Sequence, residues 1–418
     1  MNKHKIIKQG KKLLFSSIAA AVLGMICVTT KPVQAATVNG DYPSTNSVNT
    51  KKVELNYQAK NNAPTVKNDS AKFDSAKAAK SDTIETGTWD GIPVDYDTVT
   101  HTLTIGGGTI NNTMHVPNVP NTLQLLRIDW NDPSYTYDTL EVKTINFTKK
   151  LVINGSAAEW FRFYNNLTTI NGFENVDLTH ATDMNSMFIN CTALENIDLN
   201  KLFQPDKTYA VTNVAHMFEG CKKITNLDFS NFDTSNVVDM SGMFNGDVNL
   251  TQLDLSKFNT SKVTNMNAMF SDCPKLTSIK GLDKFDTSKV TSMGQMFAYC
   301  SSLNKLDLSN FNTSKVTQFY FMFYRCTNLQ NLNISSFDMT HANFNFNMFA
   351  SLPNLNTLVL GENCEMSNTG LDTPGTWTNM GDSGMNAQNP RGYYNWTSEE
   401  LMNNFDGNSD YDTYTIAQ

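Results

Sequence analysis

Leu250-Thr-Gln-Leu253-Asp-Leu255-Ser-Lys-Phe258-Asn-Thr-Ser-Lys-Val263-Thr-Asn-Met266-Asn-Ala-Met269-Phe270 carries two periods in succession. In its first half the apolar residues Leu253 and Leu255 alternate with polar ones, which predicts a short strand with one face inward. In its second half Val263, Met266 and Phe270 recur at i, i+3 and i+7, a helical stripe. Asn259-Thr260-Ser261 lies between them, and these residue types favour caps and turns because their side chains accept backbone N–H bonds. One unit is therefore expected to hold a strand, a turn and a short convex helix.

The string recurs. Met-Phe pairs begin at Met187, Met217, Met243, Met269, Met296, Met322 and Met348, separated by 30, 26, 26, 27, 26 and 26 residues. Trp160-Phe161 precedes the first by 27 and reads as a degenerate copy. A unit of this size cannot bury its apolar edge alone, so neighbours must stack and the end units must be capped. The first half of each unit, Leu-x-x-Leu-x-Leu-x-x-Phe, has leucine-rich-repeat spacing. The expected fold class is an α/β repeat: a leucine-rich-repeat solenoid of about seven to eight 26-residue coils, each a short parallel strand plus a convex helix. Stacking at about 4.8 Å per strand would give a concave sheet roughly 35 Å long.

Working outward, residues 151–360 form the solenoid and residues 83–150 an N-terminal β cap, where Thr102-Leu-Thr-Ile105 meets Gly106-Gly107-Gly108 as a strand and tight turn. Residues 361–418 form a C-terminal cap in which Thr397-Ser-Glu-Glu400 is a capping box opening a short helix. Residues 36–82 are rich in Asn, Lys, Ser, Ala and Thr and read as a disordered linker. Residues 1–35 read as a signal peptide: a basic stretch from Lys3 to Lys12, an apolar run from Leu13 to Val28, and Val33-Gln34-Ala35 before Ala36. That run is shorter than the roughly 20 residues a membrane span needs. The spacing Lys5-x-x-Lys8-x-Gly10-Lys11 also looks like an extended export signal of Gram-positive proteins. No second stretch of membrane length follows, and no LPxTG-like sorting signal or basic tail is seen, so covalent wall attachment is not expected.

Without the six lysines of the leader, 26 basic residues face 40 acidic ones, a formal charge of about −14. Nucleic acid is excluded as an expected partner because phosphate binding needs a basic face.

Leu-Asp-Leu-Ser-x-Phe-Asn/Asp-Thr-Ser-Lys-Val-Thr-x-Met-x-x-Met-Phe-x-x-Cys stands nearly intact at 253–273 and 306–326. It resembles the unit of the BspA-like leucine-rich-repeat surface proteins, the bacterial surface protein 26-residue repeat, over residues 160–360. Gly87-Thr-Trp89 and His101-Thr-Leu-Thr-Ile105 are similar to the segment that precedes such repeats in Gram-positive members. The resemblance implies a cell-surface protein with an adhesive role toward host or matrix proteins. Members commonly carry a surface anchor, which this sequence does not display.

Five columns of side chains could carry chemistry. Cys191, Cys221, Cys273, Cys300 and Cys326 share one repeat position, with Asp247 and Leu352 replacing Cys in two coils; Cys364 lies beyond. They read either as a disulfide or metal ladder or as small buried residues at a crowded turn. Equivalent sites on parallel coils suit disulfides poorly, and no Cys-x-x-Cys pair is present. The Met and Phe columns match the inward face and read as core. Asp198, Asp228, Asp254, Lys280, Asp307 and Asn333 share a position that strand alternation sends to the concave face. Adjacent like charges repel, so this column is expected either to meet a cationic partner surface or calcium, or to be solvated. Asp233, Asn259, Asp286, Asn312 and Asp338 stand at the helix entry and are expected to cap.

The enzyme reading finds little. Gly381-Asp382-Ser383-Gly384 resembles part of a trypsin-like nucleophile string, but Met385 follows where that family has Gly. His101, His115, His180, His216 and His341 have no metal-ligand spacing. The sequence therefore predicts no enzyme, no cofactor and no metal. It predicts a secreted protein, possible noncovalent surface association included, that binds an extracellular protein or glycan of host, matrix or envelope. The alternatives are a self-associating envelope component and a hydrolase hidden in the caps.

Overall fold

In the computed structural model, residues 83–111, 141–381 and 391–416 are described, all within a compact unit spanning 76–418. The leader and linker predicted over 1–35 and 36–82, most of the Gly381–Gly384 string, and His115 lie outside the described residues.

The cap opens with an antiparallel meander of β1 (Ile84–Trp89), β2 (Ile92–Asp97) and β3 (Thr102–Ile105). β3 then pairs in parallel with β5 (Thr144–Phe147), which pairs in parallel with β7 (Thr169–Asn171). A second parallel sheet joins β4 (Gly108–Asn111), β6 (Leu151–Ser156) and β8 (Val176–Asp183). Trp89 meets Trp160 edge-on at 4.9 Å, tying the meander to the degenerate copy.

Parallel stacking continues through the repeats on two sides of each coil. On the strand side, β9 (Gln252–Asp254) pairs with β10 (Ser278–Lys280), and β11 (Lys305–Asp307) pairs with β12 (Asn331–Ile334) and β13 (Thr357–Leu360). The expected single concave sheet is not formed. The ladder breaks after β10, where the 27-residue coil carries one extra residue, Gly281, at φ 95°. On the other side, single parallel bridges run without a break through Asp183, Asn213, Asp239, Asn265, Ser292, Gln318 and Phe344.

The predicted convex helix is also absent. Around Met266–Cys273 alternate residues donate to the next coil: Met266 N to Ser292 O at 3.0 Å, Ala268 N to Gly294 O at 2.8 Å, Phe270 N to Met296 O at 3.0 Å. The intervening amides close three-residue turns, as Met269 N does onto Met266 O at 3.3 Å. An α-helix would spend every amide inside the segment; here half of them bond sideways, as in a strand. The chain turns back by adopting left-handed backbone every fourth residue, at Ala268 (φ 53°) and Asp272 (φ 54°), and at the matching pairs 216/220, 242/246, 295/299 and 321/325. Successive four-residue turns set Met266, Met269, Phe270 and Cys273 on one side, which is the spacing of a helical stripe.

That side is the core. Met266, Met269, Phe270 and Cys273 have no exposed surface. The rings of Phe161, Phe188, Phe218, Phe244, Phe270, Phe297, Phe323 and Phe349 stack in one column, with centroids 5.2 to 6.2 Å apart. Such contacts add about 0.5–1.5 kcal/mol per pair to the burial of each ring.

After β13 the parallel ladder ends against an antiparallel strand. β16 (Thr413–Ile416) covers β13 and pairs with β14 (Thr376–Asn379), which pairs with β15 (Asn395–Thr397). An unpaired strand edge invites association, so this strand closes the stack. The capping box is present: Thr397 and Glu400 exchange both bonds at the start of a helix over Ser398–Asn404. Among the described residues no helix is long and apolar enough to cross a membrane.

Candidate functional site

Three corners shape a coil, and an Asp or Asn side chain that accepts the amide two residues on makes many of them; Lys280 at the first corner and Ser292, Gln318 and Phe344 at the third are exceptions. In one coil Asp254 accepts from Ser256 N at 3.0 Å, Asn259 from Ser261 N at 3.1 Å and Asn265 from Asn267 N at 3.1 Å. The second corner repeats at Asp233, Asp286, Asn312 and Asp338. These residues were expected to cap a helix; they form Asx turns instead, because no helix follows.

Beside the second corner runs a ladder of buried threonines that the sequence reading missed. Thr260, Thr287 and Thr313 donate to backbone oxygens of the next coil at 2.9 to 3.0 Å. Thr287 and Thr313 also accept that coil's amides at 2.7 to 2.8 Å. The signal was available: Thr recurs in Asn/Asp-Thr-Ser at 234, 260, 287 and 313, with Met339 in its place in the last copy.

The cysteine column is structural in its geometry. All six described cysteines are buried free thiols. Each of the five repeat thiols donates to the carbonyl of the preceding coil's core Phe, as Cys273 does to Phe244 O at 3.0 Å. Burial pushes these thiols up, Cys326 to about 12. A carboxyl occupies the same place at Asp247, which has no exposed surface. Its Oδ1 accepts Cys221 N at 2.8 Å and its Oδ2 has no partner among the described residues. Burial pushes this carboxyl well above the usual range and so favours its protonated form.

The predicted surface column stays exposed. Asp198, Asp228, Asp254, Lys280 and Asp307 face solvent and Asn333 is half-buried. The strand register sets Asp254 beside Lys280 and Asp307 beside Asn333. Asp228, Asp307 and Asn333 each accept a serine amide at 2.9 to 3.2 Å, as Asp254 does. Asp198 instead caps α1 (Leu199–Leu202) by accepting Lys201 N at 3.3 Å. The expected repulsion is relieved locally. Lys280 Nζ lies 2.6 Å from Asp254, and Asn200 donates to Asp228 at 2.6 Å. The Lys280 contact holds Asp254 far below the usual carboxylate range, and bonds from Ser230 lower Asp228. The column thus presents carboxyl groups fixed in direction by a turn or a cap, with Asp228 and Asp254 favoured in their ionised form.

The 30-residue coil adds a cleft of about 270 Å³ that includes Lys150, Asp177, Gln204 and Tyr209 in its lining. Its polar groups largely satisfy one another: Lys150 pairs with Asp177 at 3.4 Å, and Tyr209 Oη accepts Gln204 N at 2.8 Å. Among the described residues no three His, Cys, Asp or Glu side chains are grouped to hold a metal. His216 is drawn to Glu219, and His101 to Tyr96 and Glu141.

No curated protein matches the chain. Among solved structures, a leucine-rich-repeat protein of T. pallidum is 12% identical with a TM-score of 0.27, covering 54% of this chain and 91% of that one. The Drosophila Toll–Spatzle complex is 15% identical with a TM-score of 0.19, covering 65% and 47%. A leucine-rich-repeat protein of Leptospira interrogans is 11% identical with a TM-score of 0.17, covering 53% and 72%. A family model described as "Mycoplasma protein of unknown function, DUF285" matches residues 156–252, 182–283 and 251–362. Across its stacked coils, residues 156–362, this chain is a repeat protein similar to that family.

Proposed function

We propose that the chain is a secreted recognition protein that binds an extracellular protein or glycan through its exposed repeat columns, and that it is not an enzyme. The observation that carries this reading is the column of Asp228, Asp254 and Asp307: carboxyl side chains, spaced by the coil stack and aimed by their own turns, on a broad surface. Repeat stacks suit such binding because neighbouring coils multiply one weak contact along a surface. The leader-like segment and the likeness of the repeat to BspA-like surface proteins support export and an adhesive role.

The test is binding of the purified chain to immobilised extracellular-matrix proteins and mucins at low and physiological salt, beside a chain carrying Asp228→Lys and Asp254→Lys. Salt-sensitive binding that the paired substitution abolishes is the expected result. Absence of binding to the whole panel, or binding indifferent to both salt and substitution, would contradict it.

A further inference from the structure

Each coil of the turn ladder shows four side chains on its outer side, two before the Met-Phe pair and two after it. From Ser241 to Ala298 these positions hold Ser, Gly, Asn, Ala, Asp and Gln. Then the chemistry changes abruptly to Tyr299, Tyr320, Phe321, Tyr324, Arg325 and Phe346. Three of these occupy the left-handed positions, Tyr299 at φ 61°, Phe321 at φ 54° and Arg325 at φ 59°. Bulky side chains are disfavoured there, and the neighbouring coils use Gly or small residues at several of the same positions. Core packing does not require them, since Phe297 and Phe323 already fill the interior column.

The cluster is rigid. Tyr320 crosses the coil of Gly294 and donates to Asn267 at 2.9 Å; a Cβ on Gly294 would lie 2.5 Å from its ring. Phe346 stacks on Tyr320 at 5.7 Å, and Phe321 packs against Tyr324 at 5.1 Å and Phe346 at 5.2 Å. Tyr299, 39% exposed, meets Tyr324 edge-on at 5.3 Å. The Arg325 guanidinium lies over the rings of Tyr324 and Tyr299, at 5.3 and 5.7 Å, and has no carboxylate in ion-pair range among the described residues. Tyr, Phe and Arg, with Asp272 one coil before Tyr299 at the edge of the cluster, have the composition of a protein–protein hot spot.

We propose that this aromatic shelf is a docking site for a protein segment that presents an Asp or Glu carboxylate to Arg325 and an adjacent apolar side chain to the Tyr320–Phe346 shelf. The unmatched guanidinium on an otherwise acidic chain supplies the charge complementarity, and its planar fork suits a carboxylate. The proposal rests on the reading of the chain as a binding protein, but it uses a surface separate from the aspartate column.

The test selects a phage-displayed random peptide library on the full chain. Enriched peptides are expected to combine an acid with Leu, Ile or Phe and to lose about tenfold or more in affinity against Arg325→Glu and against Tyr320→Leu, as for a hot-spot contact. They are expected to bind the Asp228→Lys, Asp254→Lys chain unchanged, which keeps this site distinct from the column. Circular dichroism and melting of each variant confirm folding, and Tyr299→Ser serves as a second probe where one fails to fold. No enrichment, enriched peptides lacking acids, or binding indifferent to these substitutions would overturn the proposal. So would a glycan array whose binding depends on Tyr320 and Arg325 while peptides do not bind.

Discussion

On the turn side of the stack, bridges run unbroken from Asp183 to Phe344; on the strand side, the ladder splits between Lys280 and Lys305. Every departure from the 26-residue length falls on the strand side or just after it. The 30-residue coil places α1 there, and the two 27-residue coils place left-handed Gly172 and Gly281 there, each followed by a 3-10 turn. The turn side keeps its residue count because each of its amides is committed either to a turn or to the next coil. The difference teaches where such a protein varies: the turn backbone fixes the stack, while the strand side absorbs insertions and builds the cleft and the exposed column.

Breaking the shared core should cost most. Phe270→Ala, in the middle of the ring column, is expected to destabilise by about 3–5 kcal/mol in urea unfolding. The two sides can then be compared with glycines. At Gly281 an added Cβ would sit 2.5 Å from Ser256 N and 2.6 Å from its Cα, so Gly281→Ala must displace backbone and is expected to cost about 3 kcal/mol or more. At Gly246 the nearest atom is 3.7 Å away, so Gly246→Ala should cost only the left-handed backbone, about 1–2 kcal/mol. Equal costs would dissolve the distinction between an exacting insertion and a permissive ladder.

Asp247→Cys restores the column thiol and removes the unpartnered oxygen, with an expected gain of about 1–3 kcal/mol at neutral pH. The sign of its pH dependence is fixed. A carboxyl raised by burial stabilises the fold below its unfolded pKa, and that stability is lost as pH rises through the folded value. The advantage of Asp247→Cys should therefore grow from acid toward neutral pH. The smallest effect concerns His216, raised by its bond to Glu219. Its contribution is present in full below the ordinary imidazole range and fades as pH rises through the raised value, so His216→Gln should narrow the gap to the parent at higher pH.

The coil length, core columns and capping box were legible because each repeats or follows local turn chemistry. The helix was misread because Met266, Met269, Phe270 and Cys273 have the same spacing whether four residues make a helical turn or a left-handed one. Gly242 and Gly246, four apart, were the available clue, since a helix gains nothing from glycines at that period. The charge balance of the candidate column was hidden from the sequence: Lys280 meets Asp254 across 26 residues. The aromatic shelf announced itself only as a break in pattern at Tyr320-Phe321, where the coils before it carry small or polar residues.

The account holds that the aspartate column serves recognition while its Asx turns serve the fold, and one substitution set separates the two. Asp228→Asn, Asp254→Asn and Asp307→Asn together remove charge but keep the turn, as Asn333 and Asn259 do naturally. Binding to the matrix and mucin panel is measured beside thermal unfolding. The account predicts an unchanged melting temperature with salt-sensitive binding lost. Binding retained in full by the triple variant would contradict it.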